Sequence, residues 1–217
     1  MKPIGEAALK LAGIPLVYWC WLFVAGRAFS FGTSLALTWG GVLVVPFVAL
    51  AGRDWLNRKP TARRAQVLTV PVHYLEALLL GCALIVSYRF MQVHPIVRVP
   101  ISQRISLPLM QVLSLLALVA VLNLAIRGLG LPFAAILSSK LATSWLYAHS
   151  RNPMLLSCLL FFLAGAVWLQ SLHAILWVVC WLTPAWVLYV KIYEERELEI
   201  RFNGGYLEYK ARTPFFL

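Results

Sequence analysis

The sequence predicts an all-α protein, a polytopic membrane bundle of about six helices. Of its 217 residues, 61% are hydrophobic and only 12% are charged, and the mean hydropathy is +0.80. A typical soluble domain carries roughly 25% charged residues. The apolar residues form runs of about 17 to 22, the length that an α-helix needs to cross about 30 Å of hydrocarbon. Because lipid offers the backbone no hydrogen-bond partners, we expect each run to be a helix.

Six such runs follow one another along the chain. They cover residues 14–31, 35–51, 67–88, 105–126, 153–169 and 172–193. The first run follows Lys2 and Lys10 but lacks a small-residue cleavage pattern, so we expect a signal anchor and not a removable signal peptide. We treat residues 1–217 as a single integral membrane domain, with N-terminal helices in 1–126 and the chemically distinctive region in 127–217.

Basic residues set the expected orientation. If the N-terminus is cytoplasmic and all six runs cross, fifteen of the nineteen Lys and Arg residues face the cytoplasm. The four on the other side are Arg27, Arg89, Arg98 and Arg104. This asymmetry predicts cytoplasmic N- and C-termini. It indicates a multi-pass protein of the bacterial inner membrane or the endoplasmic reticulum type.

The net charge of +11 lies in the loops between the apolar runs. We attribute it to membrane orientation and to attraction toward anionic membrane lipids. No soluble segment interleaves basic and aromatic residues, so we expect no nucleic-acid partner. The four cysteines all lie in apolar runs without CxxC spacing, and we therefore expect buried hydrophobic residues and no metal site.

Two polar clusters flank the last pair of runs. The first spans residues 141–154 and the second residues 193–214. The segment from Met154 to Val190 between them is almost uncharged and is broken only at Gln170 and Ser171. A tight turn at this break would fold the two helices into a hairpin and bring both clusters to the cytoplasmic face. We therefore expect Arg151 and its neighbours to lie beside Glu194, around one ligand.

The first cluster suits an anionic group. Pro153 fits the first turn of a helix, where a missing N–H group costs nothing. Ser150, Arg151 and Asn152 then lie at the helix N-terminus, whose N–H groups and dipole favour negative charge. Arg151 can add a charge-assisted bond to a carboxylate. The simpler alternative is that Arg151 only anchors the helix at the membrane boundary.

The second cluster suits a cation. Glu194 and Glu195 extend the sixth helix past the membrane and can hold an ammonium or a sulfonium group. Trp145 and Tyr147 offer aromatic faces to a base ring or a cation. Together the two clusters favour a zwitterionic ligand with an aromatic part. Alternatively, residues 194–199 form a solvated amphipathic helix.

In this order, the elements resemble the isoprenylcysteine carboxyl methyltransferase family, which is related to the membrane phospholipid N-methyltransferases. The family pattern runs Leu-Val-Thr, Tyr, Arg-His-Pro-x-Tyr, a helical hairpin, Glu-Glu-x-x-Leu, Phe-Gly, Tyr-x-x-Tyr and Val-Pro. The matching segments here are Leu141-Ala-Thr, Tyr147, Arg151-Asn-Pro-Met-Leu155, Glu194-Glu-Arg-Glu-Leu198, Phe202-Asn, Tyr206-Leu-Glu-Tyr209 and Thr213-Pro214. The resemblance covers about a third of the chain.

The resemblance implies S-adenosylmethionine-dependent methyl transfer without a Rossmann domain, at a site formed by the C-terminal hairpin and the amphipathic tail. Glu194 would take the methionyl ammonium of the cofactor. The residues implied in catalysis are Arg151 and Glu194, with Glu195 and Lys191 as further candidates. The residues implied in cofactor binding are Lys140, Leu141, Ala142, Tyr147, Asn152, Pro153, Met154, Leu155 and Glu194.

Three positions depart from the family pattern. Asn152 replaces a histidine and cannot take a proton near neutral pH, and Leu155 replaces a tyrosine. Val190 falls where the family has a substrate-contacting arginine, and the neighbouring Lys191 is no equivalent at a bidentate site. Two methyl acceptors therefore remain possible: a prenylcysteine-like carboxylate and a lipid amine. In either case we expect the substrate to be a lipophilic small molecule or a lipidated molecule.

A further ionisable pair lies within the third run. His73 and Glu76 are three residues apart and share a helix face. Ionisable residues inside a membrane are candidates for function, and this pair could supply the base that an amine or hydroxyl acceptor needs. Equally, the two side chains could form a hydrogen-bonded pair at the membrane boundary.

Three functions remain open from the sequence. The first is methyl transfer from S-adenosylmethionine to a lipophilic acceptor at the cytoplasmic membrane face. The second is a membrane reductase that resembles sterol reductases and binds NADPH. The third is a catalytically degenerate family member that serves as a membrane partner protein. The Glu-Glu-x-x-Leu and Arg-x-Pro elements favour the first.

Overall fold

The computed structural model describes residues 3–95, 97–100, 103–130 and 138–217, with side chains from residue 12 onward. These residues are helical, and their β-structure is limited to one isolated bridge between Arg98 and Ser171. The all-α prediction is therefore confirmed. The helices are α1 Pro3–Ala25, α2 Phe31–Gly40, α3 Val44–Arg58, α4 Ala62–Val93, α5 Gln103–Asn123, α6 Leu146–His149, α7 Pro153–Trp168, α8 Leu172–Trp177, α9 Thr183–Tyr189, α10 Glu195–Phe202 and α11 Gly204–Arg212. Three π-helical segments, Leu124–Gly128, Val178–Leu182 and Val190–Glu194, continue α5 or link α8 to α10.

Three helices are long and apolar enough to cross a membrane: Ala62–Val93, Gln103–Gly128 and Leu172–Phe202. The pair α2 and α3 makes a fourth if it counts as one bent span. The described part of α1 and all of α7 are apolar but shorter. Every predicted run thus contains helix, and the chain is an integral membrane protein. Six crossings and cytoplasmic termini stay predictions.

The second predicted run is not one straight helix. It divides into α2 and α3, which are bent by 44°. The break follows Gly40 and Gly41, and a glycine costs a helix interior about 1 kcal/mol relative to alanine. Similarly, the first run was predicted to reach Phe31, but α1 ends at Ala25, just before Gly26.

The described residues form two compact units. The first comprises residues 3–90 and 184–201. In it, α3 packs against the π-helical segment Val190–Glu194. Gly52 makes this approach possible, because a Cβ atom at that position would lie 2.7 Å from the Tyr193 ring. The side chains of Val45, Ala49 and Leu56 on α3 are buried in the same unit.

The second unit comprises the described residues of 91–130, together with 138–183 and 202–217. Here α5 packs along α7, and α7 packs against α8. The turn between α7 and α8 is where the polar break was predicted: the Val99 N–H donates to Gln170 O and the Leu172 N–H to Val97 O, both at 2.9 Å. Only 17% of the apolar window of Gln103–Gly128 is buried, which is expected of a helix that contacts lipid.

Candidate functional sites

The first unit brings an ionisable pair together from two distant helices. His73 Nε2 lies 2.9 Å from Glu194 Oε1, across 121 residues of sequence. The histidine side chain is largely buried, whereas that of Glu194 is 31% exposed. The His73 imidazole is therefore fixed inside the unit, whereas the Glu194 carboxylate remains accessible to a ligand.

The hydrogen bonds of His73 define where its protons lie. Nδ1 is 2.9 Å from the carbonyl oxygen of Thr69, and a carbonyl can only accept, so Nδ1 carries a hydrogen and donates it. The contact between Nε2 and Glu194 Oε1 then needs one more proton. The pair is either an imidazolium with a carboxylate or a neutral imidazole with a carboxylic acid. In both forms the orientation of Glu194 is held by α4.

Two tyrosine rings surround this imidazole. Tyr189 and Tyr193 contact the His73 ring edge-on, with centroids 5.8 and 6.0 Å away. The Tyr193 hydroxyl is 3.5 Å from Thr69 Oγ1. The buried Tyr189 hydroxyl finds no hydrogen-bond partner among the described residues. The surroundings of His73 are thus aromatic and largely buried, and burial strengthens charge interactions.

Glu76 lies on the same face of α4, as its spacing from His73 predicted, but the two are not a hydrogen-bonded pair. The described structure gives His73 the partner Glu194 instead. Glu76 is only 2% exposed, and its Oε1 atom has no hydrogen-bond partner among the described residues. A buried carboxyl oxygen without a hydrogen-bond partner lowers the stability of the folded state. Glu76 is therefore a candidate functional residue.

The π-helical segment Val190–Glu194 positions the acidic residues. It ends at Glu194, and α10 begins with Glu195. Such wide turns within α-helices are frequent at functional sites. Glu195 is buried and Lys191 is exposed. The two acidic neighbours therefore differ in environment, and Glu194 is the more accessible of them.

The acidic helix α10 is not a solvated amphipathic surface. Glu197 and Arg201 form a buried ion pair with a separation of 2.6 Å. Arg196 donates to Asn57 Oδ1 at 2.9 Å and lies 3.3 Å from Glu199. These contacts hold α10 against α3 and against itself. The solvated alternative is therefore wrong for this stretch, and its functional role stays a prediction.

In the second unit, the C-terminal tail is bonded to the segment that precedes α7. The Arg151 N–H donates to Pro214 O at 2.9 Å. The Ser150 hydroxyl and the Asn152 amide both donate to Phe215 O, each at 3.3 Å. The Arg151 guanidinium lies 5.7 Å from the centre of the Phe215 ring. The tail therefore orders the predicted Arg151 and Asn152 positions.

Tyr209, on α11, is hydrogen-bonded to the same segment before α7. Its hydroxyl donates to Tyr147 O at 2.6 Å and lies 3.4 Å from Ser150 O. Burial raises the pKa of Tyr209 to about 12, although Arg151 and Arg212 oppose the shift. The phenol therefore stays protonated near neutral pH and keeps donating.

Helix α7 begins at Pro153, as predicted. Asn152 precedes it without a side-chain capping bond, because its amide is directed to Phe215. The side chain of Leu155 is buried, and that of Met154 is partly exposed. An anionic group at this helix start remains compatible with the local structure.

The segment before α6 is held at the end of the fourth apolar run. The Lys140 N–H donates to Gly128 O at 3.1 Å, and the Leu146 N–H donates to Asn123 Oδ1 at the same distance. Trp145 has a positive φ of 59°, which is strained for a bulky residue. Arg127 lies 5.2 Å from the centre of its ring, so one aromatic face predicted to meet a ligand already meets a cation of the chain.

The predicted residues thus fall into two groups, each gathered within its own unit. The second unit holds Lys140, Leu141, Ala142, Tyr147, Arg151, Asn152, Pro153, Met154 and Leu155. The first holds Lys191, Glu194 and Glu195. That both groups meet one ligand stays a prediction. Sequence reasoning missed the His73–Glu194 bond and the role of the Phe215 carbonyl; an ionisable side chain inside an apolar run was the available signal for the first.

The comparisons with known proteins agree with the resemblance found in the sequence. A family model described as phospholipid methyltransferase matches residues 103–203. The match includes Arg151, Glu194 and the apolar hairpin between them. Neither the comparison with curated proteins nor that with solved structures found a match. The resemblance to phospholipid methyltransferases is confirmed over residues 103–203.

Proposed function

We propose that this chain transfers a methyl group from S-adenosylmethionine to a lipophilic acceptor at the cytoplasmic face of the membrane. The family match over residues 103–203 supports the reaction class. The structural observation that carries the proposal is Glu194, a half-exposed carboxylate held at 2.9 Å by His73. A carboxylate fixed in this way is suited to the ammonium of a methionyl group.

The chemistry of Glu194 fits this cofactor. Its Oε1 atom is engaged by His73, whereas Oε2 makes no hydrogen bond to the described residues. Oε2 can therefore accept from an ammonium without breaking the internal bond. The surrounding tyrosine rings exclude water on the buried side, which increases the strength of such a charge-assisted bond.

The second unit contributes to the proposal through the resemblance. Arg151 would bind the cofactor carboxylate, while the residues from Lys140 to Ala142, Tyr147 and the start of α7 would contact the remainder. The tail supports this assignment, because its bonds to Ser150, Arg151 and Asn152 restrain the segment. Preorganised groups bind without losing conformational freedom at the moment of binding.

S-adenosylmethionine supplies an electrophilic methyl group on a sulfonium. As the acceptor's lone pair forms its bond to the methyl carbon, the carbon–sulfur bond breaks and its electrons stay on sulfur. The chain's contribution is alignment of the acceptor and exclusion of water. A carboxylate acceptor needs no base. An amine acceptor must be neutral, and Glu76, whose Oε1 atom has no hydrogen-bond partner among the described residues, is the group we propose to receive its proton.

Calorimetry on the detergent-purified full chain tests the proposal, with S-adenosylmethionine, its demethylated product and NADPH as ligands. We expect both sulfur compounds to bind. Glu194→Ala should weaken S-adenosylmethionine binding at least about tenfold, because bonds to charged groups contribute roughly 1.5–3 kcal/mol. Glu208→Ala, which removes an exposed carboxylate, should bind like the unaltered chain.

Each alternative function gives a distinct result. Binding of NADPH in place of the sulfur compounds would indicate the sterol-reductase-like activity. Binding of none of the three would indicate the non-catalytic partner protein. Wild-type affinity in Glu194→Ala would remove Glu194 from the site. The methyl acceptor can be identified by mass spectrometry of lipid extracts incubated with isotopically labelled S-adenosylmethionine.

A further inference from the structure

The first unit carries a pocket of about 420 Å³ beside the N-terminus of α4, lined by Trp55, Thr61, Arg63, Arg64, Val67 and Leu68. We call it the α3–α4 pocket. It lies outside residues 103–203, the part of the chain that the methyltransferase family model matches. A role for this pocket is therefore independent of the proposed reaction.

Two arginines, Arg63 and Arg64, line the pocket within a basic stretch of the chain. Residues 53–64 contain five basic residues and one acidic residue. The acidic one, Asp54, is already paired with Arg58 at 2.8 Å. The guanidinium groups of Arg63 and Arg64 make no hydrogen bond or ion pair with the described residues. Their charge is therefore available to an anionic ligand.

The rest of the pocket wall is apolar. Trp55 is 51% exposed, and Val67 and Leu68 are partly exposed on the first turns of α4. Helix α4 is one of the three that are long and apolar enough to cross a membrane. The pocket thus joins a pair of cations to hydrophobic side chains at the end of a spanning helix. A ligand that satisfies both parts must be amphiphilic.

We infer that the α3–α4 pocket binds an anionic phospholipid, with its phosphate at Arg63 and Arg64 and its apolar part along Trp55, Val67 and Leu68. Arginine is well suited to phosphate because its planar fork can donate two parallel hydrogen bonds. Basic pockets at the ends of membrane helices recognise lipid headgroups in this way. The volume is that of a small-molecule site, larger than a bare phosphate ion requires.

Native mass spectrometry of the full chain in a zwitterionic detergent tests this inference. The titrants are phosphatidylglycerol, phosphatidylcholine and glycerol 3-phosphate. The pocket variant is R63Q/R64Q. Its matched control is R53Q/K59Q, which removes the same charge from the C-terminal part of α3 and the residue after it, outside the pocket lining. We expect phosphatidylglycerol to bind at least fivefold more weakly to the pocket variant than to the control.

Every other result overturns the inference. Equal loss in the two variants would show general charge attraction without a site. Phosphatidylcholine binding as tightly as phosphatidylglycerol would exclude selection by net charge, and glycerol 3-phosphate binding equally well would indicate a soluble phosphate ligand. R63K/R64K keeps both charges but loses the bidentate geometry. Its affinity for phosphatidylglycerol should fall between those of the unaltered chain and R63Q/R64Q, and the melting temperature of each variant verifies its folding.

Discussion

The imidazole of His73 and the carboxylate of Glu194 form a 2.9 Å hydrogen bond between α4 and the end of the last long helix. Since Nδ1 of the same ring donates to Thr69 O, the ring cannot rotate without losing both bonds. The direction of the Glu194 carboxylate is thus set by a residue that lies outside the family-matched region.

Replacing His73 should therefore weaken cofactor binding without removing a ligand contact. We expect His73→Ala to weaken S-adenosylmethionine binding by about three- to tenfold, less than Glu194→Ala, because a typical hydrogen bond contributes about 1 kcal/mol. The double variant should bind no more weakly than Glu194→Ala alone. Calorimetry in a double-mutant cycle measures this coupling. Additive losses would show that His73 acts separately from Glu194.

Replacing Glu76 with glutamine should not destabilise the protein. The carboxyl is buried and one oxygen lacks a hydrogen-bond partner in the described structure, so the charge is costly to keep. We expect the melting temperature of Glu76→Gln to be unchanged or a few degrees higher. Methyl transfer to an amine acceptor should fall if Glu76 receives the proton. A large loss of thermal stability would show that Glu76 has a structural partner.

Gly52 should tolerate no side chain. A Cβ atom there would lie 2.7 Å from the Tyr193 ring, and overpacking of this kind costs about 1–3 kcal/mol. We expect Gly52→Ala to lower the melting temperature by about 2–10 °C, since 1 kcal/mol corresponds to roughly 2–4 °C in a chain of this size. Gly40→Ala is the control, because no atom lies within 4 Å of a Cβ atom there. Equal melting temperatures for the two variants would contradict the close packing.

The last three residues should matter for the segment before α7. Removing residues 215–217 deletes the carbonyl that accepts from Ser150 and Asn152, together with the ring beneath Arg151. We expect several-fold weaker S-adenosylmethionine binding and faster proteolysis after Arg151. Removing only Leu217, which is 88% exposed, should change neither. Equal affinity of the two truncated chains for S-adenosylmethionine would show that the tail does not contribute to cofactor binding.

Composition predicted the helices well, because runs of apolar residues in lipid have few alternatives to helix. Pro153 also predicted the start of α7, since proline is compatible with the first helical turn. The bend after Gly40 was missed because the apolar pattern continues across it. The first run was likewise predicted to reach Phe31, whereas α1 ends at Ala25. These successes and failures all concern local sequence.

The candidate sites were predicted only in part, because their contacts are not local. Spacing placed His73 and Glu76 on one face, but the partner of His73 comes from a helix 121 residues away. Phe215 contributes through its backbone carbonyl, which every residue possesses. No side-chain pattern could have identified it. Glu194 and Arg151 were predicted from their charge and position and from motifs that recur in a known family, and their role in binding stays a prediction.

The wide turn Val190–Glu194 determines how a one-residue deletion would change the directions of the side chains that follow it in this helix. A π-helical turn accommodates one residue more than an α-turn, and each residue rotates an α-helix by about 100°. Deleting a single amino acid between 190 and 194 can therefore be absorbed by a return of this turn to α-helix, so that the downstream carboxylates keep their direction. The same deletion in a regular α-helical stretch would rotate every later side chain by about 100° around the helix axis.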